Sequence, residues 1–423
     1  MGAAAFRYGE ETIPIAVPDR AVVIGADLPA GEPALTVDAL CAALDAPVAG
    51  PPFGGRFAPG DRVTVVIPDQ TRPAAVPLYL APLLDRLEGT KVTVLIANGQ
   101  HRPLTDAEIA RLAGAENVRR VMPVNHDPDG DLSGCGVSLD GAEIRLNRRV
   151  VECDRLVVTG ACGIHYLAGF GGGRKGIMPG VAARGDILRL HRLSLNPHGP
   201  GRHPKIGPAL LDGNPMGDLA TRVMEALSPA FLLNTILDRA GRPVAVAAGD
   251  PAAAFTRAVE EARRRSVAPV DAPFDTLVAS CGGAPKDIDF IQAHKGYDNA
   301  VRGLREGGRL FLMAACPDGI GASAFLPWLA HGSAQAIDRA LRAPGAFAVS
   351  GQTAMATREK SARFPTTLLS ALDPATVRAM GMTPAPDRAS FVAEAEAALA
   401  TARRPGLFPD AGFVTPFCAG AAA

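Results

Sequence analysis

Short apolar runs that stop at glycine or polar residues alternate with longer amphipathic stretches along this chain, the pattern of an α/β protein with mostly parallel strands. Arg62–Pro68 (RVTVVIP), Lys91–Ala97 (KVTVLIA) and residues 154–159 (DRLVVT) read as buried strands. Each is followed at once by polar residues: DQTR after the first, NGQHR after the second, GACGIH after the third. In open α/β sheets ligands bind at the carboxyl ends of strands, so these three segments are expected to converge on one crevice.

A second block begins near Asp271. Phe274–Ser280 (FDTLVAS) predicts another strand, CGGAPKDIDFIQAHKGYDNAVRGL a turn and a helix, and residues 309–315 (RLFLMAA) a further strand. Residues 255–265 look helical and charged, and the SVAPVDAP that follows carries two prolines, which places a domain boundary around 266–273. The expectation is therefore an N-terminal domain over 1–268 and a C-terminal α/β domain over 269–423. The tail 405–423, rich in Pro, Gly and Ala, is expected to hold little regular structure.

Length agrees with two domains, because 423 residues exceed what one core usually serves. Lys plus Arg and Asp plus Glu both number 43, so no net field recruits nucleic acid or an anionic membrane. No stretch reaches the roughly 18 uninterrupted apolar residues of a membrane span, and the start carries no signal-peptide pattern, so a cytoplasmic location is the expectation. Seven scattered cysteines without a CxxC pair argue against a disulfide framework or a zinc ribbon.

The most informative segment is GACGIHYLAGFGGGRKGIMPGV, residues 160–181. Gly169 and Gly171 to Gly173 remove side chains so that backbone amides can approach an anion, with the charge of Lys175 beside them. It is not a Walker loop, since Lys175 is followed by Gly176 rather than Ser or Thr. The bland alternative is a flexible turn with a solvated lysine. His165 and His191 flank the loop without the partners of a zinc site, so a metal held by one histidine would need its other ligands from a cofactor. Asp69 or Thr71 fits a helix N-cap, whereas Arg72 at a strand's carboxyl end suits a bidentate grip on carboxylate or phosphate. His101 is a candidate base for the same ligand, and Gln292 and Lys295 open the helix of the second block, where an exposed helix face is the plain alternative.

Together IPDQTRP, NGQHRP, IHYLAGFGGGRKGIMPG, His191, LDGNP, FLLNTILDRAGRPVAVAAGD and GGAPKDIDFIQAHKG resemble the lactate racemase family, in the family's order and through most of the chain. The resemblance implies a two-domain α/β fold with the active site in the interdomain cleft. It also implies a nickel-pincer nucleotide (pyridinium-3,5-bisthiocarboxylic acid mononucleotide nickel) attached covalently to Lys175, with His191 as the protein ligand to nickel. On the same basis His101 and His165 are the two acid/base residues, Arg72, Gln292 and Lys295 bind substrate, Asp69 and Thr71 support the cofactor site, and Gly171, Gly172 and Gly173 lie against the cofactor phosphate. The implied reaction interconverts stereoisomers of a small 2-hydroxy acid by reversible hydride transfer through a keto acid. Two histidines on opposite sides, each with an ordinary pKa near ~6.5, would let either isomer find a base. Enzymes that make the cofactor would be transient partners. A non-catalytic nickel or cofactor carrier, an epimerase of a sugar or sugar acid, and a phosphotransferase are the competing readings. Ile291 and His294 depart from the family pattern, as does Gly171 where serine is usual.

Overall fold

Strands buried on both faces need apolar side chains at successive positions, which is why the runs above are continuous rather than alternating. In the computed structural model, which describes residues 2–418, the chain forms two units. One comprises residues 29–193 and 205–265; the other comprises the residues up to 28, 194–204, and those from 266 onward.

The first unit is built on strands β1 (Arg62–Pro68), β2 (Lys91–Ala97), β3 (Val124–Asn125), β4 (Arg155–Ala161), β5 (Phe231–Leu237) and β6 (Pro243–Gly249). Their order across the sheet is β6-β5-β4-β1-β2-β3. All neighbours are parallel except β5 and β6, which are antiparallel. The central β1 buries every residue after Arg62. Val65 and Ile67 face one apolar layer with Phe53, Tyr79 and Leu83, while Val66 faces the other with Ile177, Leu190 and Val223. The chain runs outward through β1, β2 and β3, then returns to the far side of β1 for β4 and β5. The order therefore reverses between β1 and β4, the position where open α/β sheets form a ligand crevice.

The second unit contains β7 (Phe274–Ser280), β8 (Leu304–Met313), β9 (Thr366–Leu369), β10 (Thr383–Pro384) and β11 (Pro405–Phe408). They form a parallel sheet of order β10-β9-β8-β7-β11, with Val22–Val23 beside β11. The hairpin of Gly2–Tyr8 and Glu11–Val17 lays Phe6, Ile13 and Ile15 against Val278, Phe311 and Leu407 of this sheet. Residues 194–204 also pack in this unit: the Gly201 amide donates to Asp338 Oδ1 (3.1 Å) and Arg202 pairs with Asp298 (3.0 Å). A single cut after residue 268 would assign both stretches to the first unit; their burial partners lie more than 90 residues away in sequence, where a local pattern carries no signal.

The tail is more ordered than its composition predicts. Pro405–Phe408 is fully buried, between β7 and Val22–Val23, and Thr415–Cys418 pairs in parallel with Val267–Val270. Small residues there serve close packing, as at Gly406 against the Phe274 ring; residues 419–423 lie outside the described part. No helix among the described residues is long and apolar enough to cross a membrane.

Candidate active site

Register fixes the first half of the site. Pro68 at the end of β1 lies opposite Ala97 at the end of β2, so the chain leaves both strands at the same level. After β2, Gly99 takes a positive φ of 58° and the Asn98 carbonyl accepts the His101 amide at 2.9 Å, which turns His101 back toward β1. Asn98, itself 2% exposed, is held by the Asn125 side chain and the His126 amide, both at 3.1 Å.

The result is a hydrogen-bonded chain of four side chains. The buried carboxylate of Asp69 accepts from Thr71 Oγ1 through Oδ1 (2.9 Å) and from His101 Nδ1 through Oδ2 (2.6 Å). Arg72 Nη1 donates to Thr71 Oγ1 at 3.0 Å. An ionised carboxylate only accepts, so His101 donates from Nδ1 and turns Nε2 outward. Asp69 is 3% exposed and His101 48%, the combination of a buried anchor and an accessible ring. Asp69 is thus not an N-cap. The next helix starts at Val76, with Ala75 as its cap.

His165 follows β4 on a short β-ladder, Ile164–His165 against Gly169–Phe170. Its Nδ1 accepts the backbone amides of Leu167 (3.2 Å) and Ala168 (3.1 Å). The chain then enters the glycine segment and helix α1 (Gly173–Ile177). Gly172 has φ 101°, and a side chain on Gly173 would collide with Leu232 of β5. These glycines therefore seat the loop on the sheet. Two of their amides are already used, Gly171 N–H on Gly163 O (2.8 Å) and Gly173 N–H on the buried Asn234 Oδ1 (2.8 Å). Close approach of backbone to a ligand remains open to this loop, but a full cradle of three free amides is not what the glycines build.

Lys175 stands on α1, next to Arg174, which is 5% exposed. Arg174 bonds Gly217 O (3.0 Å) and Thr221 Oγ1 (2.8 Å) and stacks over Phe255, so it pins the turn that presents Lys175. Burial pulls its pKa down to about 10, which leaves it charged at neutral pH. His191 lies near the end of helix α2 (Arg184–Arg192) and gives its Nδ1 proton to Ile187 O at 2.7 Å. Burial, helped by the neighbouring Lys175 charge, pushes its pKa down to about 4. The ring is therefore neutral at pH 7 and carries its lone pair on Nε2. Among the described residues no three His, Cys, Asp or Glu side chains gather into a metal cage.

In the second unit Gln292 and Lys295 share the start of helix α3 (Phe290–Arg302), where Lys295 Nζ donates to Gln292 Oε1 at 2.7 Å. Their neighbour His294 is 3% exposed and bonds Ile291 O, and the partly buried Ile291 packs on the core, so these two of the three departures from the family pattern serve packing. Trp328 also packs against that core. Sequence reading missed Asn234, Asn98 and Arg174. An asparagine inside the apolar run FLLNTIL was a legible signal for the first; the other two stand inside motifs the sequence marks, but nothing local assigns them a bracing role.

Parallel strands of an α/β sheet thus lead into a buried carboxylate paired with a histidine, a guanidinium, and a lysine beside a neutral histidine. The chain belongs to the lactate racemase family: the family's N-terminal domain matches residues 8–201 and its C-terminal domain residues 270–410. It is 30% identical over 273 residues to the lactate racemase of Thermoanaerobacterium thermosaccharolyticum, a match that spans 63% of this chain and 62% of that protein. It is 28% identical over 292 residues to the lactate racemase of Lactiplantibacillus plantarum, 67% of each chain. In fold it superimposes on the lactate racemase apoprotein from T. thermosaccharolyticum with TM-score 0.86, covering 98% of this chain and all of that one at 24% identity.

Proposed function

We propose that this protein is a racemase of a small 2-hydroxy acid that works with a nickel-pincer nucleotide. The observation that carries the reading is the single hydrogen-bonded chain His101–Asp69–Thr71–Arg72, which sets a base and a carboxylate-binding cation side by side. The residues fit the cofactor the family implies. Lys175 is the attachment point, and His191, neutral with Nε2 bare and next to Lys175, is the nickel ligand. When bound, that group supplies a hydride acceptor, which the chain's own side chains lack.

The protein's part is to bind, orient and move one proton. Arg72 spends one Nη1 hydrogen-bonding edge on Thr71 and offers its remaining N–H groups to the substrate carboxylate. Lys295, oriented by Gln292, is a further cationic partner for a carboxylate. His101 and His165 handle the hydroxyl proton, and the adjacent C–H becomes a hydride donor only once that proton is removed. Gly171 to Gly173 allow the backbone to come close to the nucleotide. His101, His165 and Arg72 have no task in a mere carrier of the cofactor.

The test is coexpression with cofactor-making enzymes, followed by intact mass, nickel analysis and chiral analysis of lactate and other 2-hydroxy acids. The parent protein is expected to carry an adduct and to racemise at least one acid. Lys175→Ala loses the adduct, whereas His191→Ala keeps it but loses most of the nickel. An adduct of unchanged mass in Lys175→Ala, or no racemisation by fully loaded protein, overturns the reading.

A further inference from the structure

Three successive carbonyls follow helix α1, which carries Lys175, and each is held by a different part of the first unit. Gly180 O accepts the Gly99 amide at 2.9 Å, Val181 O accepts the Asn147 amide at 2.8 Å, and Ala182 O accepts from the ring of His126 at 3.1 Å. The same three residues turn their own amides back toward the helix: Gly180 N–H to Lys175 O (3.0 Å), Val181 N–H to Ile177 O (3.1 Å) and Ala182 N–H to Pro179 O (3.1 Å). The bond to Ala182 O comes from a side chain rather than from backbone. His126 follows β3 and is 3% exposed, so it acts through the segments it holds and not on a ligand.

A carbonyl only accepts, so His126 Nε2 carries the ring proton, and Nδ1 is a lone pair that accepts Asn147 Nδ2 at 3.2 Å. The Asn147 amide cannot turn over, because its Oδ1 takes the Arg149 amide at 3.1 Å. The backbone amide of His126 bonds Asn98 Oδ1 at 3.1 Å, and Asn98 Nδ2 bonds Asn125 Oδ1 at 3.1 Å. Donors therefore meet acceptors along a buried path from the turn after β2 to the exit of α1. Burial holds the His126 pKa below its ordinary value, against the opposing pull of the Ala182 carbonyl, Asp127 and Asp129. The ring is neutral at pH 7, as the Nδ1 lone pair requires.

We propose that His126 is a positioning residue for Lys175: its Nε2–H clamps Ala182 O and so fixes the exit of the helix that presents the lysine. What this does for the nucleotide rests on the cofactor reading above; the clamp itself does not. Without that N–H, the carbonyl of Ala182, a residue with no exposed surface, loses its donor, and the turn opens to regain one from water. Lys175 then samples several positions, and covalent attachment, which needs the reacting atoms about 3–3.5 Å apart and aligned, slows. Three variants divide the functions of the ring. Glutamine can place an N–H where Nε2 stands, asparagine can place an acceptor where Nδ1 stands, and leucine keeps apolar bulk and offers neither.

The first readout needs no cofactor. Amide hydrogen exchange of residues 175–183, read by peptide mass spectrometry at neutral pH, is expected to quicken about tenfold or more in His126→Leu and His126→Asn and to stay within about threefold of the parent in His126→Gln. Residues 290–302 serve as the reference and keep the parent rate. Where His126→Leu does not fold, the Gln and Asn variants carry the comparison. Unchanged exchange in every variant, protection by Asn equal to that by Gln, or an equal rise in the reference peptide overturns the clamp. The second readout is the adduct at Lys175 after coexpression with cofactor-making enzymes. Its fraction is expected to fall about fivefold or more in the Leu and Asn variants and to recover to within about twofold in His126→Gln. A full adduct in His126→Leu overturns the positioning role. The expected exchange pattern in a protein whose parent form carries no adduct would leave the clamp standing and remove the cofactor reading. A loaded parent with unchanged exchange in every variant would do the reverse.

Discussion

Replacing Asp69 by asparagine changes one atom and should disable the base without emptying the site. Both carboxylate oxygens are committed, Oδ1 to the Thr71 hydroxyl at 2.9 Å and Oδ2 to His101 Nδ1 at 2.6 Å. An amide has one oxygen, so its NH₂ must face either Thr71 or His101. Facing His101, the NH₂ donates to Nδ1 and forces the ring proton onto Nε2, where the bare lone pair is needed. Facing Thr71, it keeps the tautomer but replaces a charge-assisted bond with a neutral one, at a cost of about 1 kcal/mol. Loss of a positioned base removes about 10²–10⁴ in rate, or roughly 3–5 kcal/mol of transition-state stabilisation. With Asp69→Asn protein loaded to the parent level, kcat for a 2-hydroxy acid is therefore expected to fall by about 10²–10⁴, with KM changed far less because Arg72 remains. Cofactor loading, read by intact mass, should be unchanged, since Asp69 is spent on His101 and Thr71. A fall of less than about threefold in kcat, or a loss confined to cofactor loading, would refute the assignment of Asp69 to His101.

Three further outcomes follow from packing and burial. Gly173→Ala places a Cβ onto Leu232 Cδ1 and 3.0 Å from Val158 Cγ1; overpacking of this kind costs about 1–3 kcal/mol in urea melts and should also lower adduct formation at Lys175, while an unchanged midpoint would show that the loop is not seated as described. Asp298, 1% exposed, pairs with Arg202 (3.0 Å), Lys360 (3.1 Å) and Arg302 (3.5 Å). Asp298→Ala takes the shared, buried carboxylate from these largely buried cations and is expected to destabilise by about 3–5 kcal/mol, and a loss below about 1 kcal/mol in denaturant titration would contradict an ion cluster centred on Asp298. The pKa of His294 is pushed down to about 3, chiefly by burial and then by the nearby Lys360 and Lys295 charges. Above pH ~6.5 it is neutral in both the folded and the unfolded chain and contributes no pH dependence. Below that, the unfolded chain takes up the proton first, so stability should drop with falling pH by about 1.4 kcal/mol per unit until about pH 3. His294→Leu should flatten that slope, and an unaltered slope between pH 6 and 4 would place the proton uptake elsewhere.

The sequence by itself determined the class of fold, the strands that lead into the candidate site and the candidate residues that follow them. Two-face burial leaves a continuous apolar run, so β1, β2 and β7 were legible to the residue, and a polar cluster after each strand end was legible as chemistry. The Gly-Arg-Lys segment and His191 were legible as a motif for the same reason, being local. Partnership was not local. That Asp69 belongs to His101, 32 residues on, depends on the register of β1 against β2 and on the turn at Gly99. That the glycine amides are spent on Gly163 and Asn234 depends on how closely the loop sits on β5. The hairpin of residues 2–17 finds its home against strands several hundred residues downstream, where Val278, Phe311 and Leu407 cover its apolar face. A hydrogen bond is decided within a few tenths of an ångström and by which atom donates. Hydrophobic periodicity fixes which face of an element is buried, and only the packed structure fixes which atom on that face meets which other.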